Sequence, residues 1–584
     1  HFWKLNKQLK AINRKRIAAA LFLLFSFSFH AQYIDTHGTD GSSKVNHNAN
    51  DGHQHDDKQV ALMQESAETK KLRSPKPISP DEIIARNKIS KEHADKFGYL
   101  LVQNYEGRIV PMNTQALDVL RKLYKRDSFK GTDGKSLDAN QWFLSINTDT
   151  PSWTMVPIIK VGTKGGEELR KKTKADEEGY TSLMSLFPAD ANGQLHYVLE
   201  DDYQAAFRKK PAEQTNYDKE VIAVNDRVQV FNEFFSGQFL RIIPVKNDPN
   251  STWHSWLDQN FEPDEESQKV MGPYFSSVLD AEKSGNWSKA DKELSALEQY
   301  QKIWGKNVVP AQSKVDLEVF MNKLNLNFKL LIFYTIVGGL LLVLGFVELF
   351  KPGKTLNKII KGILIAGIIG YIAHFCGLVA RWYLSGHAPW SNGYEAIIFI
   401  SWVGISAGLM FYFGIGKPSM KKYADKAFKR SGNVSNALIP AAGFMVAVIM
   451  MGFAHGGSAL DPQITPLVPV LKSYWLIIHV AIITSSYGFF ALSMIIAVFV
   501  LIFFIISDKK QYRIHQDITI KELTVVSEMS LTIGLFALTV GNFLGGIWAN
   551  ESWGRYWSWD PKETWAFISI MVYAFVLHMR LVPG

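Results

Sequence analysis

Trp553-Gly-Arg-Tyr-Trp-Ser-Trp-Asp-Pro-Lys-Glu-Thr-Trp565 places four Trp and one Tyr within thirteen residues, between two long apolar segments. Read as a helix from Ser552 to Trp559, it puts Trp553, Tyr556 and Trp557 on one face at i, i+3 and i+4, a flat aromatic shelf at a membrane surface. A flat shelf suits a flat ligand. Trp and Tyr also gather at headgroup level in any polytopic protein, so aromatic content alone favours an interfacial belt. The order of the residues has to decide.

Outward from this stretch the chain is strongly apolar. Seven segments, near 328–350, 359–379, 394–415, 434–454, 474–506, 527–549 and 563–582, are mostly 20 residues or more, enough to cross about 30 Å of hydrocarbon. Loops 351–361, 416–433 and 507–521 carry four, six and four Lys/Arg; those near 380–393, 455–473 and 550–562 carry one, one and two. Positive excess marks the cytoplasmic side. The bias therefore predicts that the Trp stretch, the loop holding His387 and the loop before His479 all lie on the outer face.

Toward the N-terminus the character changes. Residues 1–34 combine a basic start with an apolar run from Ile17, which reads either as a signal peptide or as a short spanning helix of 18 residues to Ile34. Residues 35–80 form a polar tract with His37, His47, His53 and His55; spacing this loose reads as a disordered tether rather than a metal site. Residues 81–327 are long enough for a soluble domain with its own core. Val221–Val224 and Phe239–Val245 read as strands, and Ser288–Ile303 as an amphipathic helix. No nucleophile motif, phosphate loop or paired-ligand helix occurs there. Residues 328–584 make up the membrane region. The fold class expected is a polytopic α-helical membrane protein, seven C-terminal transmembrane helices and one N-terminal helix, with a mixed α/β extracytoplasmic domain.

Bulk properties narrow the function. The 584 residues are 47% hydrophobic with net charge +9, and the excess sits in short loops between apolar runs, so nucleic acid is excluded as a partner. Cys376 is the sole cysteine, which rules out a disulfide framework, a thiolate metal cluster and a Cys-x-x-Cys-His haem attachment site in this chain. The sequence begins with His and stops just after an apolar run, and is expected to be a fragment at both ends.

Trp553-Gly-x-Tyr-Trp-x-Trp-Asp560 resembles the WWD signature of the haem-handling proteins of cytochrome c maturation. Three further stretches fit the same family. Arg381-Trp-Tyr-Leu-Ser-Gly-His-Ala-Pro-Trp-Ser-Asn-Gly-Tyr-Glu395 looks like the outer loop of CcsA (ResC) proteins. Ser473-Tyr-Trp-Leu-Ile-Ile-His479 resembles the context of their first external haem-ligand histidine, and Trp565 to Leu577 followed by His578-Met-Arg580 resembles the helix bearing a membrane ligand. The match covers roughly Phe328 to Gly584, and with the exported domain the whole looks like a fused CcsBA (ResBC) cytochrome c synthetase of system II.

The resemblance implies export of haem b, its presentation at the outer face of a bacterial inner membrane, and covalent attachment to the Cys-x-x-Cys-His of apocytochrome c. That is a haem-lyase activity of the full-length protein, with this piece alone inactive. It implies thiol-reducing proteins and the missing ResB portion as partners. The family's second external histidine and its ResB membrane histidine are not in this sequence.

His479, about five residues into its helix, can ligate haem iron near the depth of the shelf; the plainer reading is an interfacial histidine bonded to a neighbour. His578, about 15 residues into the last helix, is expected to ligate iron at an inner site, the alternative being a snorkelling residue. Trp553, Gly554, Tyr556, Trp557, Trp559 and Asp560 form the haem-facing segment. Asp560-Pro561-Lys562-Glu563 reads first as N-cap, proline at the first helical position and glutamate at the third, and free N–H groups there could receive a propionate. His387 and Trp390 are expected to line the shelf. His374 and His455 read as packing or hydrogen-bonding residues; Glu348 and Glu395 as polar partners without an assigned role. Two other classes stay open: a membrane b-type cytochrome holding haem permanently, and a transporter with an ordinary aromatic belt.

Overall fold

The computed structural model describes residues 77–579 apart from 190–193, 247, 256–257, 259–264, 351–352, 415–436, 457–459, 469–470 and 507–512, together with Leu581. The readings made for residues 1–76, for loop 416–433 and for Arg580 lie outside the described residues. The chain divides into two compact units whose described parts are 77–323 and 324–581.

The first unit is mainly helical. Its helices include α1 (Lys91–Phe97), α2 (Met112–Tyr124), α3 (Asn216–Phe235), α4 (Glu265–Ser284) and α5 (Ser288–Trp304). The strands pair only as antiparallel ribbons: β1 (Leu101–Gln103) with β2 (Ile109–Pro111), β3 (Ser128–Lys130) with β4 (Ser136–Asp138), β5 (Ile159–Lys160) with β6 (Tyr180–Thr181), and β7 (Ile243–Pro244) with β8 (Trp253–His254). Trp142, Trp153, Phe97, Phe143, Phe231 and Tyr274 are fully buried at its centre.

Two strand expectations fail here. Val221–Val224 lies inside α3, because Val221, Val224, Val228 and Phe231 recur at helical spacing and all face the core. Thr215 and Asp218 also close a reciprocal capping box at its start. Phe239–Val245 breaks into a short 3-10 turn, Gln238–Leu240, followed by the two-residue β7. The helix expected from Ser288 is α5.

The second unit is a bundle of seven helices among the described residues: α6 (Leu326–Phe350), α7 (Lys354–Ser385), α8 (Gly393–Tyr412), α9 (Leu438–Gly456), α10 (Tyr474–Ile506), α11 (Arg513–Trp553) and α12 (Pro561–Met579). Six are long and apolar enough to cross a membrane; α12, which opens on Pro-Lys-Glu and carries His578, is not among them. The protein is a polytopic helical membrane protein. Helix α9 packs on α6 and α8, α10 on α8 and α11, and α12 on α11. At the α8/α9 crossing a Cβ on Gly443 would stand 2.9 Å from the Gly404 carbonyl, so small residues set the close approach.

Boundaries move where helices outrun the apolar run. Helix α11 has 41 residues, about 60 Å at 1.5 Å per residue. It absorbs 513–521, expected as loop.

Candidate functional site

The Trp stretch is a loop, not the helix expected over Ser552–Trp559. Helix α11 ends at Trp553. Gly554, at φ +70°, donates its N–H to the Asn550 carbonyl at 2.9 Å, which is how a left-handed glycine stops a helix. Helix α12 restarts at Pro561. Asp560 Oδ1 accepts from the Glu563 N–H at 2.9 Å, and Glu563 Oε2 reaches back to the N–H of Ser558 at 2.8 Å and to its hydroxyl at 3.2 Å. Asp560 is thus the N-cap that its sequence context announced. Trp559 is held at φ +58°, a conformation that costs a bulky residue about 1 kcal/mol or more.

An aromatic surface results all the same, built by a strained loop instead of a helix face. Trp553, Tyr556 and Trp559 are 53%, 63% and 71% exposed, three exposed rings within seven residues. Trp557 is half-buried, edge-on to Trp559 at 5.7 Å and to Phe567 at 6.4 Å. Its buried indole N–H has no hydrogen-bond partner among the described residues. Trp553 leans on Trp548, 4.7 Å between ring centres.

His479 lies in the second turn of α10, and its Nδ1 is 2.7 Å from the Gly541 carbonyl. A carbonyl only accepts, so Nδ1 carries the proton and the neutral ring keeps its lone pair on Nε2, the tautomer of a metal ligand. The ring lies flat on α11, where a Cβ at Gly545 would stand 2.4 Å from Cε1. A Cβ at the next residue, Gly546, would meet the Tyr556 carbonyl at 3.2 Å. Adjacent glycines of α11 therefore seat His479 and the Trp loop.

Other expected site residues fall elsewhere. Trp390 does not line the shelf: it is 3% exposed, packs on Phe399 at 4.7 Å, and donates its indole N–H to the Ile477 carbonyl at 3.1 Å. His387 has both ring nitrogens against carbonyls, Nε2 on Thr465 at 3.0 Å and Nδ1 on Ala388 at 3.2 Å. His578 is exposed on α12 rather than enclosed, with Nδ1 2.7 Å from the Ala574 carbonyl of its own helix. The described part of α12 packs on one side only, including Tyr573 stacked on Phe490 at 4.1 Å. His374 is fully buried with Nδ1 3.4 Å from the Tyr334 hydroxyl, and His455 bonds the Met451 carbonyl at 2.8 Å.

Sequence reasoning overlooked Arg381, Gly541 and Gly545. Arg381 Nε donates to Glu395 Oε1 at 2.7 Å, the role that Glu395 lacked. The signal available was an Arg and a Glu at the facing ends of consecutive apolar segments, where an unpaired charge is costly.

Comparison with known proteins settles the family. A family model described as cytochrome C assembly protein matches residues 390–583, which include the loop holding Trp390, His479, the Trp loop and His578. The CcsA cytochrome c biogenesis protein of Trieres chinensis is 33% identical over 269 residues, 40% of this chain and 78% of that protein. That of a Prochlorococcus marinus strain is 34% identical over 238 residues, 35% and 69%. The chain belongs to the CcsA family of cytochrome c biogenesis proteins. Protein NrfI of Wolinella succinogenes is 34% identical over 492 residues, 84% of this chain but 51% of NrfI, so the chain spans about half the length of that relative. Its similarity reaches well beyond the membrane bundle into the first unit.

Proposed function

We propose that this CcsA-type chain, within its full-length protein, carries haem b outward across the inner membrane of a bacterium. It presents the haem on the Trp553–Trp559 loop at the outer face, for attachment to apocytochrome c. In that attachment each Cys thiol of Cys-x-x-Cys-His adds S–H across one haem vinyl group, a step that needs no oxidant. The observation that carries the reading is the pairing of a ligand-ready imidazole with exposed aromatic area: His479 keeps Nε2 for iron, while Trp553, Tyr556 and Trp559 offer faces for a planar macrocycle. At the start of α12 little is left for a propionate, because Pro561 has no N–H and those of Glu563 and Thr564 are bonded to Asp560.

A haem held for electron transfer belongs in an apolar slot between helices, whereas exposed rings suit delivery to a second protein. His578 is assigned to an inner station on the route, with the ResB portion and thiol-reducing proteins as partners. The test is an absorption spectrum and pyridine haemochrome assay on purified full-length protein, with and without His479→Ala. Haem with a His479-dependent spectrum is expected. Haem-free protein would return the segment to an ordinary interfacial belt.

A further inference from the structure

Between α7 and α8 the chain folds into a cap over the start of α10, and polar groups tie this cap together. Arg381, near the end of α7, gives Nε to Glu395 and its two terminal nitrogens to the carbonyls of Pro462 at 2.9 Å and Gln463 at 3.2 Å. Glu395 Oε2 accepts the Ser391 N–H at 2.9 Å, and Asn392 caps α8 through the Glu395 N–H at 2.8 Å. His387 ties the same loop to Thr465. Each of these bonds is part-buried, where an unmade one is expensive, so the cap holds a defined shape.

From this cap the indole N–H of Trp390 reaches α10 at the Ile477 carbonyl. Ile477 is two residues before His479, about 200° around the helix at 100° per residue. The turn that bears His479 is therefore gripped on opposite sides: by Trp390 at Ile477, and by Gly541 and Gly545 of α11 at the imidazole itself.

We propose that Trp390 is a positioning residue for His479. It sets the rotation and depth of the first turns of α10 so that Nε2 stands where iron is to be bound. Arg381, Glu395 and His387 act through it and do not touch haem. The proposal rests on the reading of His479 as an axial ligand. It removes Trp390 and His387 from the haem-contacting set and makes the outer cap a device for ligand alignment.

The experiment uses full-length protein in membranes and after purification. Trp390→Phe keeps one ring in the aromatic packing while deleting the N–H and part of the indole's volume. Arg381→Lys loosens the cap without altering Trp390, and covers the case in which the first variant accumulates poorly. Both should shift haem toward the high-spin, ligand-deficient spectrum of His479→Ala. Both should lose haem roughly fivefold faster, on the scale of one hydrogen bond, and return to the wild-type spectrum on addition of free imidazole. Trp390→Phe combined with His479→Ala should be no worse than His479→Ala alone.

Wild-type ligation in both variants would overturn the proposal while leaving His479 as ligand. Haem loss that imidazole does not repair would instead make Trp390 a direct haem contact, again overturning it. An unchanged spectrum in His479→Ala would remove the ligand reading and this proposal together.

Discussion

The imidazole of His479 donates its Nδ1 proton to the carbonyl of Gly541, 2.7 Å away on the neighbouring helix, and lies against Gly545 one turn further along. The slot has no room for a methyl group: a Cβ at Gly545 would stand 2.4 Å from Cε1 and 2.7 Å from Nδ1. Gly545→Ala must therefore displace the ring or part the two helices, at about 1–3 kcal/mol for overpacking. The expected result is loss of the His479-dependent haem spectrum with His479 still present. Gly452→Ala on α9 is the control, because nothing lies within 4 Å of the added Cβ, and it should leave ligation intact. Equal spectra for both variants and wild type would mean that the slot does not place the ligand.

Replacing Trp553, Trp557 and Trp559 together with Ala should abolish cytochrome c formation and leave membrane insertion unchanged. Each ring removes about 150–250 Å² of contact surface. The three are not equivalent. Trp557 supports the loop through Trp559 and Phe567, so Trp557→Ala should also raise hydrogen exchange in 554–560. Trp559→Gly separates function from stability: it relieves the positive φ, steadying the loop by about 1 kcal/mol, yet it deletes the most exposed of these rings. A steadier loop with lost cytochrome yield is expected; retained yield would show that the ring is dispensable.

Much of the architecture was legible because a run of about twenty apolar residues has few alternatives to a membrane helix. The ends were less so, since α11 continues through charged residues once clear of the apolar run. The Trp loop was misread although its signals were present: Gly554 in the C-terminal capping place and Asp560-Pro561 opening the next helix. These breakers outweigh the aromatic spacing. Val221 and Val224 were misread for a different reason, their β-branched identity overriding a period of 3.6. What no local pattern carries is the burial of Trp390, whose partner Ile477 is 87 residues away.

In the first unit, His93 is buried with Nδ1 2.7 Å from Asp291 and Nε2 3.3 Å from the Tyr274 hydroxyl. Burial outweighs the Asp291 carboxylate and holds the imidazole below its ordinary value of 6.5. A lowered value means that the unfolded chain takes the proton first. The contribution of His93 is therefore complete above about pH 6.5 and is lost as pH falls toward the folded value, by at most about 1.4 kcal/mol per pH unit. In the whole protein, proteolysis within 77–323 should accelerate below pH 6.5, and His93→Gln should flatten that dependence. A steeper dependence in the variant would reverse the assignment.

The last expectation concerns order along the haem route, and it follows from depth. Helices α11 and α12 both end on the Trp loop. His479 contacts Gly545, eight residues before Trp553, about 12 Å down at 1.5 Å per residue. His578 lies 17 residues beyond Pro561, about 25 Å down. Two axial ligands of one iron stand about 4 Å apart, given metal–imidazole bonds of about 2 Å, so these histidines cannot share an iron. His578 is also exposed on the one-sided helix α12, where haem would be reached from the flank. In full-length protein, His578→Ala should lower total haem before any reaches the Trp loop. His479→Ala should leave haem at the inner position while cytochrome c synthesis fails, with free imidazole filling part of the outer vacancy. Haem content and cytochrome c yield, measured side by side, decide it: identical loss of all haem in both variants would sink the two-station route.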